Sequence, residues 1–174
     1  MDRARLRLAE PGDLAYIMAV ERLPGMDGFI GRFEEAAHIS HLDSSNWRYL
    51  LWSHENGTAE GFVLLSDVEE KSGNVHIKRV AVGEPGRGTG SAMMAAVINW
   101  CFAETAAFRL WLNVVAGNLR ARRLYARLGF VEEGVKRQSA ILPGGARTDL
   151  VMMSMLRPEW AAQRIASSAD AVGT

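Results

Sequence analysis

Two stretches of the 174-residue chain combine residue types and spacings that could do chemistry. The first is GEPGRGTGSAMM, residues 83–94, where glycine and proline crowd ahead of helix-forming residues. Glycines placed before a helix let backbone N–H groups converge on one point, and the helix N-terminus adds a partial positive charge, so the stretch can cradle an anion. The second is NLRARRLYARLGF, residues 118–130. Asn118, Ala121 and Tyr125 stand at i, i+3 and i+7 of a predicted helix and share one face, with about 10 Å along the axis from first to last. Such a face can touch a single extended ligand, while Arg120, Arg123 and Arg127 fall opposite and read as a solvated stripe.

Several anions could occupy the cradle, and the spacing removes some of them. A Walker loop, G-x-x-x-x-G-K-[ST], needs lysine where Thr89 stands, so ATP and GTP hydrolysis lose support. The dinucleotide pattern G-x-G-x-x-G fails in both registers, leading from Gly86 and Gly88 to Ser91 and from Gly88 and Gly90 to Met93. The pattern that fits is [QR]-x-x-G-x-[GA], as Arg87-Gly88-Thr89-Gly90-Ser91-Ala92 after the strand-like VHIKRVAV. It is joined by N-x-x-A-x-x-x-Y-x-x-x-G-F, as Asn118, Ala121, Tyr125, Gly129 and Phe130.

With both blocks in place the sequence resembles the GNAT N-acetyltransferase superfamily over about residues 59 to 156. Before that the likeness is one of element order only. The resemblance implies that Arg87, Gly88, Thr89, Gly90 and Ser91 hold the pyrophosphate of acetyl-CoA as cosubstrate. The backbone of Val80, Ala81 and Val82 would then pair with the pantetheine arm, with an N–H near Val82 polarising the thioester carbonyl and Asn118 and Tyr125 closing over it. The alternative for the loop is a plain strand-to-helix turn.

Acetyl transfer to an amine needs a neutral nucleophile and a proton for the departing thiolate. The resemblance gives the proton to Tyr125, which otherwise reads as a packed helix residue. Matching back along the strand puts His76 where some relatives carry a glutamate base. A histidine near pKa 6.5 faces a deficit of roughly 1.6 kcal/mol against an α-ammonium and roughly 5 kcal/mol against a lysine ammonium, so it suits α-amino acceptors. His76 could equally be a half-buried strand residue, and many relatives use a water chain or no dedicated base. Lys78 and Arg79 are poor bases that line the sheet edge or meet acidic substrate groups. Glu34, His38 and His41 share a helix face at a spacing that could bind metal, but the family needs none and the plain reading is a solvated face that could border the acceptor site. Cys101 lies in an apolar stripe and reads as core.

These residues must be positioned by a larger frame. Leu6 and Leu8 alternate with arginines before Pro11-Gly12, giving a strand and then a helix to about Glu21. An irregular stretch precedes a helix from about Arg32. Apolar runs around Asn56-Gly57 predict antiparallel strands at about 47–53 and 59–68, with Gly61 at a bulge. A strand at 75–82 feeds the glycine loop. Met93, Met94, Val97, Ile98, Cys101 and Phe102 then form a helical apolar stripe. A strand at 108–114 should lie parallel to 75–82, because a helix joins them. The helix at Asn118 ends at Gly129, and a strand pair surrounds Pro143-Gly144-Gly145. The fold class is therefore α/β (α+β), a GNAT fold with a mixed, mostly antiparallel sheet of roughly seven strands, roughly four flanking helices and splayed parallel central strands. Residues 1–157 are expected to form a single acetyltransferase domain, and 158–174 a short helix with a flexible tail.

Composition narrows the partners. Twenty basic residues balance twenty acidic ones, so nothing global points to nucleic acid or an anionic membrane, and anion binding must be local. Trp47, Trp52, Trp100 and Trp111 read as core filling, not as a base-stacking platform. One cysteine cannot form an internal disulfide, and MDRARLRLAE lacks the apolar segment of a signal peptide, which predicts a cytoplasmic protein. The expectation is an acetyl-CoA-dependent N-acetyltransferase acting by direct attack of a primary amine, on a protein N-terminus or small molecule, without metal. EEGVKR, the PGG turn and DLVMMSML resemble the RimJ/RimL-like subgroup, which includes ribosomal-protein N-terminal acetyltransferases. Amino acids, polyamines or drug-like amines are the alternative acceptors, and an acyl-CoA-binding sensor is the alternative of another class. The resemblance also makes a homodimer an expectation. Acceptor choice is assigned to residues 22–45 and 138–147.

Overall fold

The computed structural model describes residues 4–172, with side chains described to residue 166. Strand β1 (Arg5–Leu8) leads through a short 3-10 turn into α1 (Leu14–Glu21), and α2 (Glu35–Leu42) follows a loop. Then come β2 (Trp47–Ser53), β3 (Ala59–Ser66), β4 (Asn74–Val82), α3 (Thr89–Glu104), β5 (Arg109–Val115), α4 (Leu119–Arg127), β6 (Val131–Ile141), β7 (Arg147–Leu156) and α5 (Arg157–Val172). The expected strands and main helices all form. Helix α2 begins later than Arg32, because Glu34 still holds an extended backbone at its N-cap. Helix α5 has 16 residues and runs through most of the segment expected to be flexible, while Gly173 and Thr174 lie outside the described residues.

The strands make one seven-stranded sheet in the order β1-β2-β3-β4-β5-β7-β6. Neighbours are antiparallel except β4 and β5, which run parallel as the connecting helix requires. That parallel ladder is short: Asn74, Val75 and His76 pair with Arg109, Leu110 and Trp111, and there the pairing stops. Beyond it β4 keeps β3 on one edge, with Val80 opposite Val63 and Val82 opposite Gly61. Its other edge opens, so the strands splay.

A register shift decides what the splayed strand presents. Leu64 lies opposite Arg79 but Leu65 lies opposite Ile77, which leaves Lys78 as an extra residue bulged out of the ladder. Strict alternation would put Arg79 on the same face as Val75 and Ile77. The bulge switches faces instead. Val75 and Ile77 stay in the larger core with the α3 stripe Met93, Met94, Val97, Ile98, Cys101 and Phe102. Ala81 joins the second core with Leu14, Ile17 and Val20 of α1 and with Tyr49, Leu51, Phe62 and Leu64.

Arg79 is therefore turned toward α1 and α2 and is 5 % exposed, which corrects the sheet-edge alternative for it and leaves the contact with acidic substrate groups open. Its Nη1 donates to Glu21 Oε1. Glu21 Oε2 also accepts from the His38 ring at 3.1 Å and from the Phe33 N–H at 3.3 Å, so both carboxylate oxygens are occupied. Because a carboxylate only accepts, His38 Nε2 carries the proton. His38 Nδ1 lies 2.9 Å from the Tyr49 hydroxyl, which His41 Nδ1 reaches at 3.0 Å. The face read as solvated is thus half buried: His38 is fully enclosed, and both of its nitrogens and His41 Nδ1 are engaged in this network. Removing one member of a buried pair strands the other charge and costs about 3–5 kcal/mol. Arg79→Met should lower the unfolding free energy by about that much in urea titration, and Glu21→Gln added to it should restore part of the loss. A loss below about 1 kcal/mol for the single variant would show that the pair is not structural.

Candidate active site

The splay opens a cleft of about 1370 Å³ that passes through the sheet. One side is lined by the loop from Gly83 to Ser91 and by Asn118, Ala121, Leu124 and Tyr125 of α4. The other is lined by the loop from Leu23 to Gly31 and by Ala140, Ile141 and Leu142. His76 to Val82 of β4 and Leu112 to Val115 of β5 form its walls. All the site residues read from the sequence line this cleft except Arg87, which stands exposed on the same loop with Glu84 at 3.4 Å.

The glycine loop is built as an anion cradle. Gly86 and Gly88 have φ of 116° and 80°, a left-handed region in which a side chain is strained. A Cβ at either would meet nothing within 4 Å, so the concavity is open. Gly88 caps α3 without any side-chain hydrogen bond at that end. Thr89 and Gly90 follow as its first residues, placing N–H groups and the positive end of a 16-residue helix at the cradle. Arg120, Arg123 and Arg127 are exposed and line the cleft, which is more than the solvated stripe expected of them.

Opposite, the open edge of β4 at Val80–Val82 exposes backbone N–H and C=O groups that a β-sheet would otherwise pair. Asn113 Oδ1, on the facing strand, is buried without a hydrogen-bond partner among the described residues. An orphaned acceptor and a free strand edge facing one slot suit an arm that carries amide groups, and the glycine cradle suits the phosphates at its end. The residues present therefore fit acetyl-CoA. Asn118 caps α4, its Oδ1 accepting from Ala121 N at 3.2 Å. Tyr125, 8 % exposed, packs on Phe130 at 5.9 Å between ring centroids, and burial pushes its phenol up to about 12. Its hydroxyl therefore stays protonated through the working pH range.

His76 sits at the closed end of the splay. Its ring stacks on Trp111 at 3.8 Å and 4°, and Ser66 Oγ lies 3.5 Å from Nδ1. Lys136 and Arg109 lie over the Trp111 ring, so the indole works here as a platform and not as core filling. Burial, helped by the charge of Lys78, pushes His76 down to about 4. Cys101 is buried in the core as expected, its thiol pushed up to about 12 by desolvation. Among the described residues no group of three or more acidic, histidine or cysteine side chains could hold a metal ion, and no helix is long and apolar enough to cross a membrane.

Sequence spacing does not single out Glu21, Tyr49 or Asn113. For Glu21 a signal existed, since Leu14, Ile17 and Glu21 share a helix face and an acidic residue on an apolar face asks for a buried partner.

With this architecture in view, the match of residues 19–130 to the acetyltransferase (GNAT) family model is decisive: the chain belongs to the GNAT acetyltransferases and is an acetyl-CoA-dependent N-acetyltransferase. It is 31% identical over 165 residues to YokL of Bacillus subtilis (strain 168), an SPbeta prophage-derived uncharacterized N-acetyltransferase, covering 89% of this chain and 90% of that one. It is 27% identical over 110 residues to YdaF of the same organism, provisionally named a ribosomal N-acetyltransferase, covering 63% of this chain and 60% of that one. The fold is shared with spermidine N-acetyltransferase from Vibrio cholerae, whose crystal structure contains CoA and spermine, at a TM-score of 0.82 and 20% identity over 91% of this chain and 98% of that one.

The His76 environment has a measurable consequence. Its folded pKa lies below the ordinary 6.5, so the unfolded chain takes up the proton first and the neutral ring stabilises the fold fully only above about pH 6.5. His41 is displaced in the same direction by burial and by His38. Urea midpoints should hold steady above neutrality and fall as pH drops from 6.5 toward 4.5, before the carboxylates titrate. His76→Asn should flatten part of that slope; an unchanged slope would exclude His76 as its source.

Proposed function

We propose that this acetyltransferase transfers acetyl to a primary amine, on a protein N-terminus or a small molecule, by direct attack with no covalent enzyme intermediate. The observation that carries the reading is the unpaired edge of Val80–Val82, which shares one cleft with the glycine cradle and the Tyr125 hydroxyl. Bound acetyl-CoA supplies the acetyl thioester. The backbone N–H groups of Gly88, Thr89 and Gly90 receive the phosphates, while the Ser91 N–H donates to Gly88 O at 3.0 Å and steadies the turn; Arg87, Arg120 and Arg123 add positive charge at the rim. Val80, Ala81 and Val82 hold the pantetheine arm as a neighbouring strand would, and an N–H near Val82 is aimed where carbonyl charge develops. Asn118 borders the arm from the start of α4.

Tyr125 acts at the leaving sulfur. With its phenol near 12, complete proton transfer to a thiolate of a thiol near 8.5 would cost roughly 5 kcal/mol. It therefore serves as a hydrogen-bond donor to the developing thiolate, which needs no full transfer. His76 is read here as a stacked strand residue and not as the base. At a pKa near 4 its deficit against an α-ammonium grows from roughly 1.6 to roughly 5 kcal/mol, too large for useful proton abstraction, and its ring is engaged in stacking. Acceptors that are partly unprotonated at working pH, or water leading out of the wide cleft, meet the need for a free amine.

A polyamine acceptor is the second reading, brought by the fold neighbour crystallised with spermine, and the name of YdaF supports a ribosomal-protein acceptor of the RimJ/RimL-like kind. A single-domain, cytoplasmic enzyme is part of the proposal, as is pairing of two copies along a sheet edge, β1 and β6 being the edges of the sheet.

Thiol release from acetyl-CoA with a panel of amines, peptides and polyamines tests the reading. Tyr125→Phe should lower kcat by about 100-fold with little change in KM for acetyl-CoA. Tight CoA binding with no turnover of any acceptor, and no effect of Tyr125→Phe, would favour a sensor instead. Gly88→Val and Gly90→Val should each raise KM for acetyl-CoA by about tenfold, the first through its left-handed backbone and the second through lost space at the cradle. Unchanged KM in both would move the phosphates elsewhere.

A further inference from the structure

The acceptor half of the cleft offers hydrogen-bond donors and few acceptors. Its charged lining consists of Lys78 and Arg79 from β4 and Asp27 from the loop before α2; Glu84 belongs to the cofactor side, where it pairs with Arg87. Glu21 is close, but both of its oxygens are committed to Arg79, His38 and the Phe33 N–H, and it does not reach the cleft. A polycation would therefore find one exposed carboxylate, Asp27, and two cations.

Arg79 is held for recognition more firmly than a surface arginine. Glu21 fixes its Nη1, and the Phe33 ring lies beneath the guanidinium at 4.2 Å. Among the described residues Glu21 is its single hydrogen-bonding partner, so Nη2 is uncommitted. Gly31 forms the cleft wall beside that nitrogen. A Cβ there would stand 3.2 Å from Nη2, so Gly31 packs closely on this largely buried donor and any side chain at that position would close the approach to it from the cleft. Lys78, pushed out by the bulge, is exposed beside it without an ion-pair partner among the described residues. Both cations also act on the neighbouring imidazoles: Arg79 and Lys78 help hold His41 unprotonated, and Lys78 does so for His76.

From this we infer that Arg79, backed by Glu21 and Phe33 and reached past Gly31, anchors a carboxylate on the acceptor, so that the substrate class is a small amine that also carries a carboxylate. Glu21 offsets the net charge of Arg79, so recognition rests on directed N–H donors, with Lys78 supplying the uncompensated charge. Arg79 immediately precedes the Val80–Val82 edge, and the anchor thereby sets where the acceptor amine lies relative to the thioester. The inference rests on the acetyltransferase reading above and narrows its acceptor.

The test compares amino acids of several chain lengths with their amides, their decarboxylated amines and spermidine, using thiol release by the full chain and expressing kcat/KM per free-base amine. The carboxylate form is expected to lead its amide by about 10- to 100-fold. Gly31→Val, which covers Nη2 from a loop, should collapse that ratio while leaving KM for acetyl-CoA unchanged. The double variant Glu21→Gln, Arg79→Gln, which avoids stranding either charge, should do the same through KM for the acceptor. Amides, simple amines or spermidine serving as well as the carboxylate form would overturn the inference and leave the enzyme an acetyltransferase. So would a carboxylate preference that survives both variants. Absence of acetyl-CoA binding and of turnover with every acceptor would overturn the acetyltransferase reading as well.

Discussion

The site depends on a ladder that stops. β4 and β5 are paired for three residues each and then part, leaving backbone groups in the middle of a sheet without a strand to satisfy them. Unpaired backbone in a protein interior is costly, and it persists here because the rest of the sheet holds the two strands independently. β3 grips β4 along its other edge, and β7 grips β5 through Val115. Neither strand needs the other beyond His76 and Trp111, so the gap is a stable feature that a ligand backbone can fill.

The Lys78 bulge at the start of the gap has a second effect. By inserting one residue it exchanges which side chains face each layer, sending Arg79 to α1 and α2 while Ile77 remains under α3. An arginine is tolerated there because α1 supplies Glu21, α2 supplies His38 and β2 supplies Tyr49. That network ties the two helices to the strand that forms the cleft wall. The loop between the helices, which lines the cleft, is thereby anchored at both ends, by Glu21 on Arg79 of β4 and by His38 on Glu21 and Tyr49. The guanidinium that packs against the smaller core also lines the cleft, with Gly31 beside it.

Burial also sets the chemistry each group can do. Tyr125 and His76 line one cleft, and desolvation disfavours the charged form of each, raising the phenol and lowering the imidazolium. The result is a site with neutral side chains at working pH, suited to donating and accepting hydrogen bonds without trapping a charge beside the reacting groups. Positive charge is kept to the two ends of the cleft, at the cradle and at Lys78 and Arg79.

Much of this was legible in the sequence. The glycine loop, the face carrying Asn118, Ala121 and Tyr125, the α3 stripe and the parallel joining of the strands at 75–82 and 108–114 all follow from local spacing, because each concerns residues near one another in the chain. The length of the parallel ladder, the Lys78 bulge and the burial of Glu21, His38 and Arg79 did not follow. A bulge depends on the register against a partner strand, and a buried pair separated by 58 residues exists only once α1 has packed on β4. For the same reason sequence leaves His76 open between a base, by its match to a family position, and a half-buried strand residue, whereas its stacking on Trp111 and the burial that lowers its pKa are seen only in the folded chain. Local spacing in the sequence was enough for the glycine loop and the fold that carries it; the protonation states and the side chains that line the cleft depend on the folded chain, since both arise from desolvation and from partners brought together across the sheet.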